Sequence, residues 1–319
     1  MGDIFFPILN QMLFLFAFLL IGFVLCKCKF IPENSATVLS KLENMIFVPA
    51  LVMDTFIKKC NIETISSAWK LLLMGFALVL VLIPISLLFA RLCFKDDFLR
   101  KLGTYGLAFS NFGFMGNAIM SAVFPEIFFE YTVFTLPLWF MIYLWGAPAL
   151  LIGSNGEKKG FSSRFKAFLN PMLISMLIGM VIGLVGLKLP SFVTSVIDDA
   201  AACMSPLAMI LTGVTIAKID LLALLKKWRI YLIAVVKLVV YPLVYIAIFA
   251  FIPIGEWFTE TVLICAMCVM CMPMGLNSIV IPAAYGKDTS DAAGMALITH
   301  TLSVGTIPLM FMLFRALVL

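Results

Sequence analysis

Charge is the scarcest thing in this chain. Only 12% of its 319 residues are charged and 63% are hydrophobic, whereas a soluble domain carries about 25% charged residues. With a mean hydropathy of +1.14, most of the chain has lipid as its natural solvent, which excludes an ordinary soluble fold. Also missing are a P-loop, a zinc-protease pattern and a serine-nucleophile elbow. Those absences argue against an ATP-driven pump and against the commoner membrane enzymes. No cofactor or metal is expected. Cys265-x-x-Cys268-x-x-Cys271 imitates an iron–sulfur ligand run, but spacing by three drifts around a helix axis and no fourth ligand is apparent. Cys26, Cys28, Cys60, Cys93 and Cys203 form no disulfide framework.

What is present is apolar length. Segments of roughly 20 residues, enough to cross a bilayer, number ten: about 4–26, 34–57, 68–92, 102–124, 129–153, 168–187, 191–217, 229–253, 259–284 and 291–318. These are spans 1 to 10. Span 1 lacks a basic n-region and a small-residue cleavage site, so it reads as a retained helix. The loops after spans 1, 3, 5, 7 and 9 hold fifteen Lys and Arg residues, and the opposite side holds five. The basic side faces the cytoplasm, which places both termini outside it, in a multi-pass protein of the cell membrane. The formal net charge of +5 is thus a topology signal and gives no reason to expect nucleic acid.

Two spans are interrupted. Span 4 contains Asn111-Phe-Gly-Phe-Met-Gly-Asn117 and span 9 contains Pro273-Met-Gly-Leu-Asn277. Polar, glycine-containing breaks at membrane depth are tolerated only where they are buried in protein or line a cavity. A matched pair of them in two halves points to a transporter's binding site.

The halves repeat. Pro84 and Pro242 are offset by 158 residues, and Asn117 and Asn277 by 160. Thr135-Leu-Pro-Leu-Trp-Phe-Met141 and Thr306-Ile-Pro-Leu-Met-Phe-Met312 agree at five of seven positions. Five spans per half is odd, so the second copy inserts upside down. The fold class expected is an all-α integral membrane protein of ten transmembrane helices, arranged as two inverted five-helix repeats with broken crossover helices 4 and 9. Residues 1–153 form the first repeat, 154–167 a cytoplasmic linker and 168–319 the second repeat.

Asn111 through Gly116, the Pro273-Met-Gly-Leu-Asn277 break, and the run from Asn170-Pro171 through Pro206 to Gly213 resemble the auxin efflux carrier family. That family includes bacterial carriers of organic acids and the plant PIN-type auxin exporters. The resemblance covers essentially the whole chain. It implies a scaffold of spans 1, 2, 6 and 7, a moving transport unit of spans 3–5 and 8–10, substrate at the crossover of spans 4 and 9, and a homodimer. The family often has a proline two residues after the first Met-Gly, where this chain has Ala118. The opening of span 4 is therefore expected to rest on Gly113 and Gly116.

An interrupted helix exposes free N–H groups and partial positive charge at the start of its second half, which suits a carboxylate. No arginine lies in a span interior. The expected substrate-binding set is Asn111, Gly113, Gly116, Asn117, Pro273, Gly275 and Asn277. The asparagines either contact the anion or cap the broken ends, and the glycines and Pro273 shape the backbone. Ionisable residues within spans are functional candidates. Glu43 lies six residues before Pro49 and Asp199 seven before Pro206, so either could couple transport to protons. Both could equally be hydrated near an interface. Lys237 is read as snorkelling toward the cytoplasm or as a substrate counter-ion, and His300 as a packing residue or a titrating one. Gly179-x-x-x-Gly183 is a close-packing motif, internal or at a dimer interface.

The function expected is secondary active transport of a small organic anion, a carboxylate such as malate or malonate, by an elevator-type motion with proton symport. The alternatives are a sodium-coupled symporter related to bile acid carriers and a non-transporting ligand sensor of the same fold.

Overall fold

The computed structural model describes residues 2–32, 34–152, 171–218, 228–252, 254–284 and 290–319. The linker 154–167, the start of span 6 and Asn170 lie outside the described residues. So do Lys158, Lys159, Arg164, Lys166, Lys226, Lys227 and Lys287 of the basic-loop count.

Among the described residues all regular structure is helical, and the one β feature is an isolated bridge. The helices are α1 (Gly2–Lys27), α2 (Ser35–Leu42), α3 (Val48–Lys59), α4 (Ile62–Cys93), α5 (Asp97–Ala108), α6 (Asn117–Val123) and α7 (Phe128–Met141). They continue with α8 (Pro171–Val185), α9 (Ser191–Ile216), α10 (Trp228–Val235), α11 (Tyr241–Phe249), α12 (Glu260–Cys271), α13 (Asn277–Ala284) and α14 (Ser290–Leu317). Seven continuous helical stretches among them are long and apolar enough to cross a membrane, and three more apolar helices, Phe112–Val123, Pro171–Val185 and Glu260–Cys271, are shorter.

Local chemistry explains the boundaries. Helix α4 begins at Ile62, earlier than the apolar run alone indicates. The Asn61 side chain accepts from the Thr64 N–H while Thr64 Oγ1 accepts from the Asn61 N–H, closing a reciprocal cap. Asp96 caps α5 by accepting from Leu99 N–H, and Thr259 does the same for α12 through Val262 N–H. In the first turn of α5, Asp97 pairs with Lys101 and Arg100. The hydrogen bond from Lys101 holds the Asp97 carboxyl below its ordinary range.

Wide π-turns precede prolines at Glu43–Phe47, between α2 and α3, and at Val236–Val240, between α10 and α11. Proline lacks an N–H and its ring crowds the carbonyl four residues back. Pro49 and Pro242 each place that crowded carbonyl inside the adjoining π-turn, and the extra residue in the turn relieves the crowding. A longer π-segment, Ile142–Ile152, continues α7 and contains Pro148.

Helix α1 lies against α9 and α14, α3 against α8 and α9, and α4 against α5 and α7. Lipid tails are as apolar as leucine, so close packing through small residues must hold such helices together. Gly179 and Gly183 do this: a methyl at either would stand 2.8 Å from Met53 O or 2.6 Å from Phe56 O. The motif therefore packs internally on α3. At one end of the same pair of helices, Lys58 forms ion pairs with Asp54 and Asp198, each at 2.8 Å, tying α3 to α9.

Candidate functional site at the paired helix breaks

Span 4 leaves the helix at Phe109, whose φ of −118° and ψ of 100° are extended. It resumes as a π-turn at Phe112–Gly116 that runs into α6. Span 9 leaves the helix at Met272, also extended, because a residue before proline is kept out of the helical region. It resumes at Asn277. Between these ends the two exposed backbones pair with each other. Ser110 and Met274 form an antiparallel bridge. Asn111 N–H donates to Pro273 O at 2.7 Å, and Gly275 N–H donates to Phe109 O at 3.2 Å. Backbone groups that lipid would leave unpaired thus satisfy one another although they are far apart in sequence.

This corrects the expectation for span 4. The helix opens at Phe109, ahead of both glycines, and the glycines serve close approach instead. A methyl at Gly113 would stand 2.2 Å from the Trp139 ring, and one at Gly116 would stand 2.1 Å from Tyr131 Oη. Gly275 admits the bridge itself, since a methyl there would meet Ser110 O and Phe109 O at 3.0 and 3.1 Å.

The seven residues picked from sequence are all in this region, and the bridge brings the two groups together. Asn111 is buried, and its Nδ2 lies 2.9 Å from His300 Nε2. His300 Nδ1 lies 2.8 Å from Ala296 O. That carbonyl can only accept, so in the neutral ring Nδ1 carries the proton and Nε2 accepts from Asn111. The amide N–H that reaches His300 is therefore engaged within the protein, and His300 positions Asn111. Asn117 is buried at the start of α6, while Asn277 is half-buried at the start of α13.

Several polar groups here were not legible in the sequence. Tyr131 Oη donates to Phe112 O at 2.9 Å and holds the first residue of the π-turn. Thr299 Oγ1 accepts from Met274 N–H at 3.4 Å. Ser110 Oγ is buried with no hydrogen-bond partner among the described residues, and Tyr105 Oη is buried facing the Asn277 side chain, outside ordinary hydrogen-bond geometry. Tyr105 lies one turn before the first break and beside Asn277. Unsatisfied buried hydroxyls are uncommon and call for an explanation. Ser110 lies in the first break, and Tyr105 lies beside the start of α13, where the second half of span 9 resumes. Tyr131→Phe should lower any flux through this site by about tenfold, the worth of one buried hydrogen bond and the orphaned carbonyl, with wild-type yield. Equal flux in radiotracer exchange would show that the π-turn holds without it.

Glu43 and Asp199 are not part of this cluster. Glu43 is fully buried in its π-turn with both carboxyl oxygens lacking a hydrogen-bond partner among the described residues, whereas Asp199 is exposed on α9. Lys237 differs from its sequence reading. It does not snorkel to a surface; it is fully buried, and Nζ donates to Leu107 O at 3.2 Å. The carbonyl at the end of α5 holds it inside the protein. Cys265, Cys268 and Cys271 are buried in α12, with Cys268 Sγ 3.7 Å from Tyr131 Oη. One link joins this region to α1: Gln11 Nε2 donates to Ala118 O in α6 at 3.3 Å.

Two broken helices sealed to each other inside a bundle of apolar helices are the architecture of a carrier. The family model described as "Membrane transport protein" matches residues 7–164 and again 157–311. The chain belongs to this family. No curated protein matches the chain. Membership in the membrane transport protein family makes the chain a multi-pass membrane transporter, the same broad class that the auxin efflux carrier resemblance implied. The two matched stretches meet at residues 157–164, and each contains one of the two breaks.

Proposed function

We propose that this membrane transport protein is a secondary carrier of a small organic anion, a short carboxylate such as malate or malonate. The observation that carries the reading is a pair of buried hydroxyls at the breaks, Ser110 Oγ with no partner among the described residues and Tyr105 Oη facing the Asn277 side chain. Half-helix N-termini offer N–H donors and partial positive charge to an anion. The carboxylate would take its hydrogen bonds from those hydroxyls, from the first-turn N–H groups of the resumed helices, and from Asn117 and Asn277.

Ten spans in two inverted five-helix repeats accommodate the seven long and three shorter apolar helices. On this reading spans 1, 2, 6 and 7 form the scaffold, and spans 3–5 and 8–10 move past it as one body. The contacts of α1 with α9, and of α3 with α8 and α9, support that grouping. A crevice of about 190 Å³ lies between α4, α7 and α8 and is lined by residues such as Leu72, Phe76, Trp139, Leu173 and Met176. Its apolar walls suit a sliding boundary between the two groups. Both termini are extracytoplasmic, the protein sits in the cell membrane as a homodimer, and Glu43 carries the coupling proton. Intramembrane carboxyls have such roles by default, and its missing partners leave it free to exchange one.

The test is uptake of radiolabelled malate into proteoliposomes, competed by mono- and dicarboxylates, with and without a pH gradient or sodium. The expected result is uptake driven by the proton gradient and insensitive to sodium, lost in Glu43→Gln. Asn117→Ala and Asn277→Ala should each reduce malate uptake by on the order of ten- to a hundredfold, the range for hydrogen bonds to a charged group, with folding intact. Wild-type flux in both would sink the assignment. Sodium-dependent uptake would install the bile-acid-carrier-like symporter in its place, and binding without flux would install the sensor.

A further inference from the structure

The carbonyl ends of the two broken half-helices carry a charge of their own. Helices α5 and α12 both run into the breaks with their C-termini, which bear partial negative charge and unsatisfied carbonyls. In carriers built from broken helices, such C-terminal ends are where a coupling metal cation is held. Here a lysine stands at that place. The Lys237 side chain leaves the π-turn between α10 and α11 and donates to Leu107 O, in the last turn of α5. Helix α12 packs against the same π-turn, and its last residue, Cys271, is close enough to act electrostatically on the lysine. The Tyr241 ring lies 5.5 Å from Nζ, with its hydroxyl 3.1 Å from Ser86 Oγ. The lysine is fully buried, and no carboxylate is among these neighbours.

We propose that Lys237 is a cation built into the chain at the position where related architectures bind one from solution. Its ammonium neutralises the C-terminal ends of α5 and α12, so the N-terminal ends of the resumed helices are left to the anion. The wild-type protein therefore needs no metal cation, and removing the lysine creates a vacancy that an exchangeable monovalent cation fills. The flux arm of the test rests on the transport reading given above, but the stability arm does not.

Lys237→Ala, Lys237→Met and Lys237→Arg are compared with the wild type and with Lys41→Ala, an exposed control. In detergent, the thermal unfolding midpoint of each purified protein is followed against n-butylammonium, sodium and choline. The expected result is a lowered midpoint for Lys237→Ala that n-butylammonium or sodium restores saturably. Choline has no effect, and neither the wild type nor Lys41→Ala responds. In proteoliposomes, Lys237→Met, which keeps the apolar stem, should lose about tenfold in malate flux, the scale of one hydrogen bond made by a charged donor, and Lys237→Arg should retain most of it. If the wild type moves no malate but Lys237→Ala still answers to the amine, the choice of substrate fails and the built-in cation stands. Recovery of folded Lys237→Ala only in the presence of the amine supports the proposal in the same way. Wild-type stability and flux in Lys237→Met would overturn it, as would a Lys237→Ala midpoint that no cation moves.

Discussion

Replacing Gly213 by alanine is expected to cost this transporter its folded state. A methyl on Gly213 would stand 1.9 Å from Leu19 O and 2.7 Å from Phe23 N. Both atoms belong to the backbone of α1, so no side chain can rotate out of the way. On the facing helix, a methyl on Gly22 would stand 2.2 Å from Ile210 O, and the two glycines thus close the α1–α9 contact reciprocally. Relief requires the helices to part along their contact. Overpacking of this kind costs typically 1–3 kcal/mol, and a backbone obstacle places Gly213→Ala at or above about 3 kcal/mol. Size-exclusion profiles and unfolding midpoints in detergent measure the loss. Gly305, where an added methyl meets nothing within 4 Å, is the control and should tolerate alanine. Full recovery of monodisperse Gly213→Ala protein would mean that α1 and α9 pack differently.

Gly116→Ala is expected to abolish transport, and Tyr131→Phe is expected to bring part of it back. The methyl would lie 2.1 Å from Tyr131 Oη, the oxygen that donates to Phe112 O. The tyrosine must swing away, which orphans that carbonyl and loosens the π-turn that starts the second half of span 4. Removing the hydroxyl relieves most of the collision, because the next ring atom is 3.3 Å from the methyl position and need yield only slightly. Flux in Gly116→Ala should fall on the order of a hundredfold, equivalent to losing a hydrogen bond and straining its neighbours. The double variant should return to the level of Tyr131→Phe alone, about tenfold below wild type. Coupling of that sign is characteristic of residues in direct contact. Additive losses in tracer exchange would instead place the effect of Gly116 elsewhere.

The contrast between the two breaks shows what the sequence could convey. Span length and apolarity were readable because a bilayer imposes both on every crossing segment. The end of α12 was readable because Pro273 restricts the residue before it. The end of α5 was not, since Phe109-Ser110-Asn111 contains neither proline nor glycine. Its extended backbone is a product of pairing with Pro273 and Gly275, and no local preference encodes a partner that distant. Lys237 failed for a related reason. Counting residues from a helix end gives its depth, but which carbonyl lies within reach depends on how α5 packs against the π-turn. His300 is readable as a hydrogen-bonded packing residue or a titrating one, but only the fold sets it against Asn111, 189 residues away. Proline positions were visible while the π-turns before Pro49 and Pro242 were not, because relief by one extra residue and relief by a kink leave the same sequence trace.

The bridge at Ser110 and Met274 also bears on what half of this molecule could be. Cut at the linker, either half would carry an extended break whose N–H and carbonyl have lost their counterparts, at a cost of several kcal/mol for each group stranded in hydrocarbon. Such a fragment is no smaller carrier. It is an adhesive surface that must find a second break running in the opposite direction, supplied by the missing half or by an inverted copy of itself. Self-association is thus written into each half, and joining the two in one polypeptide turns an encounter between molecules into a step of folding.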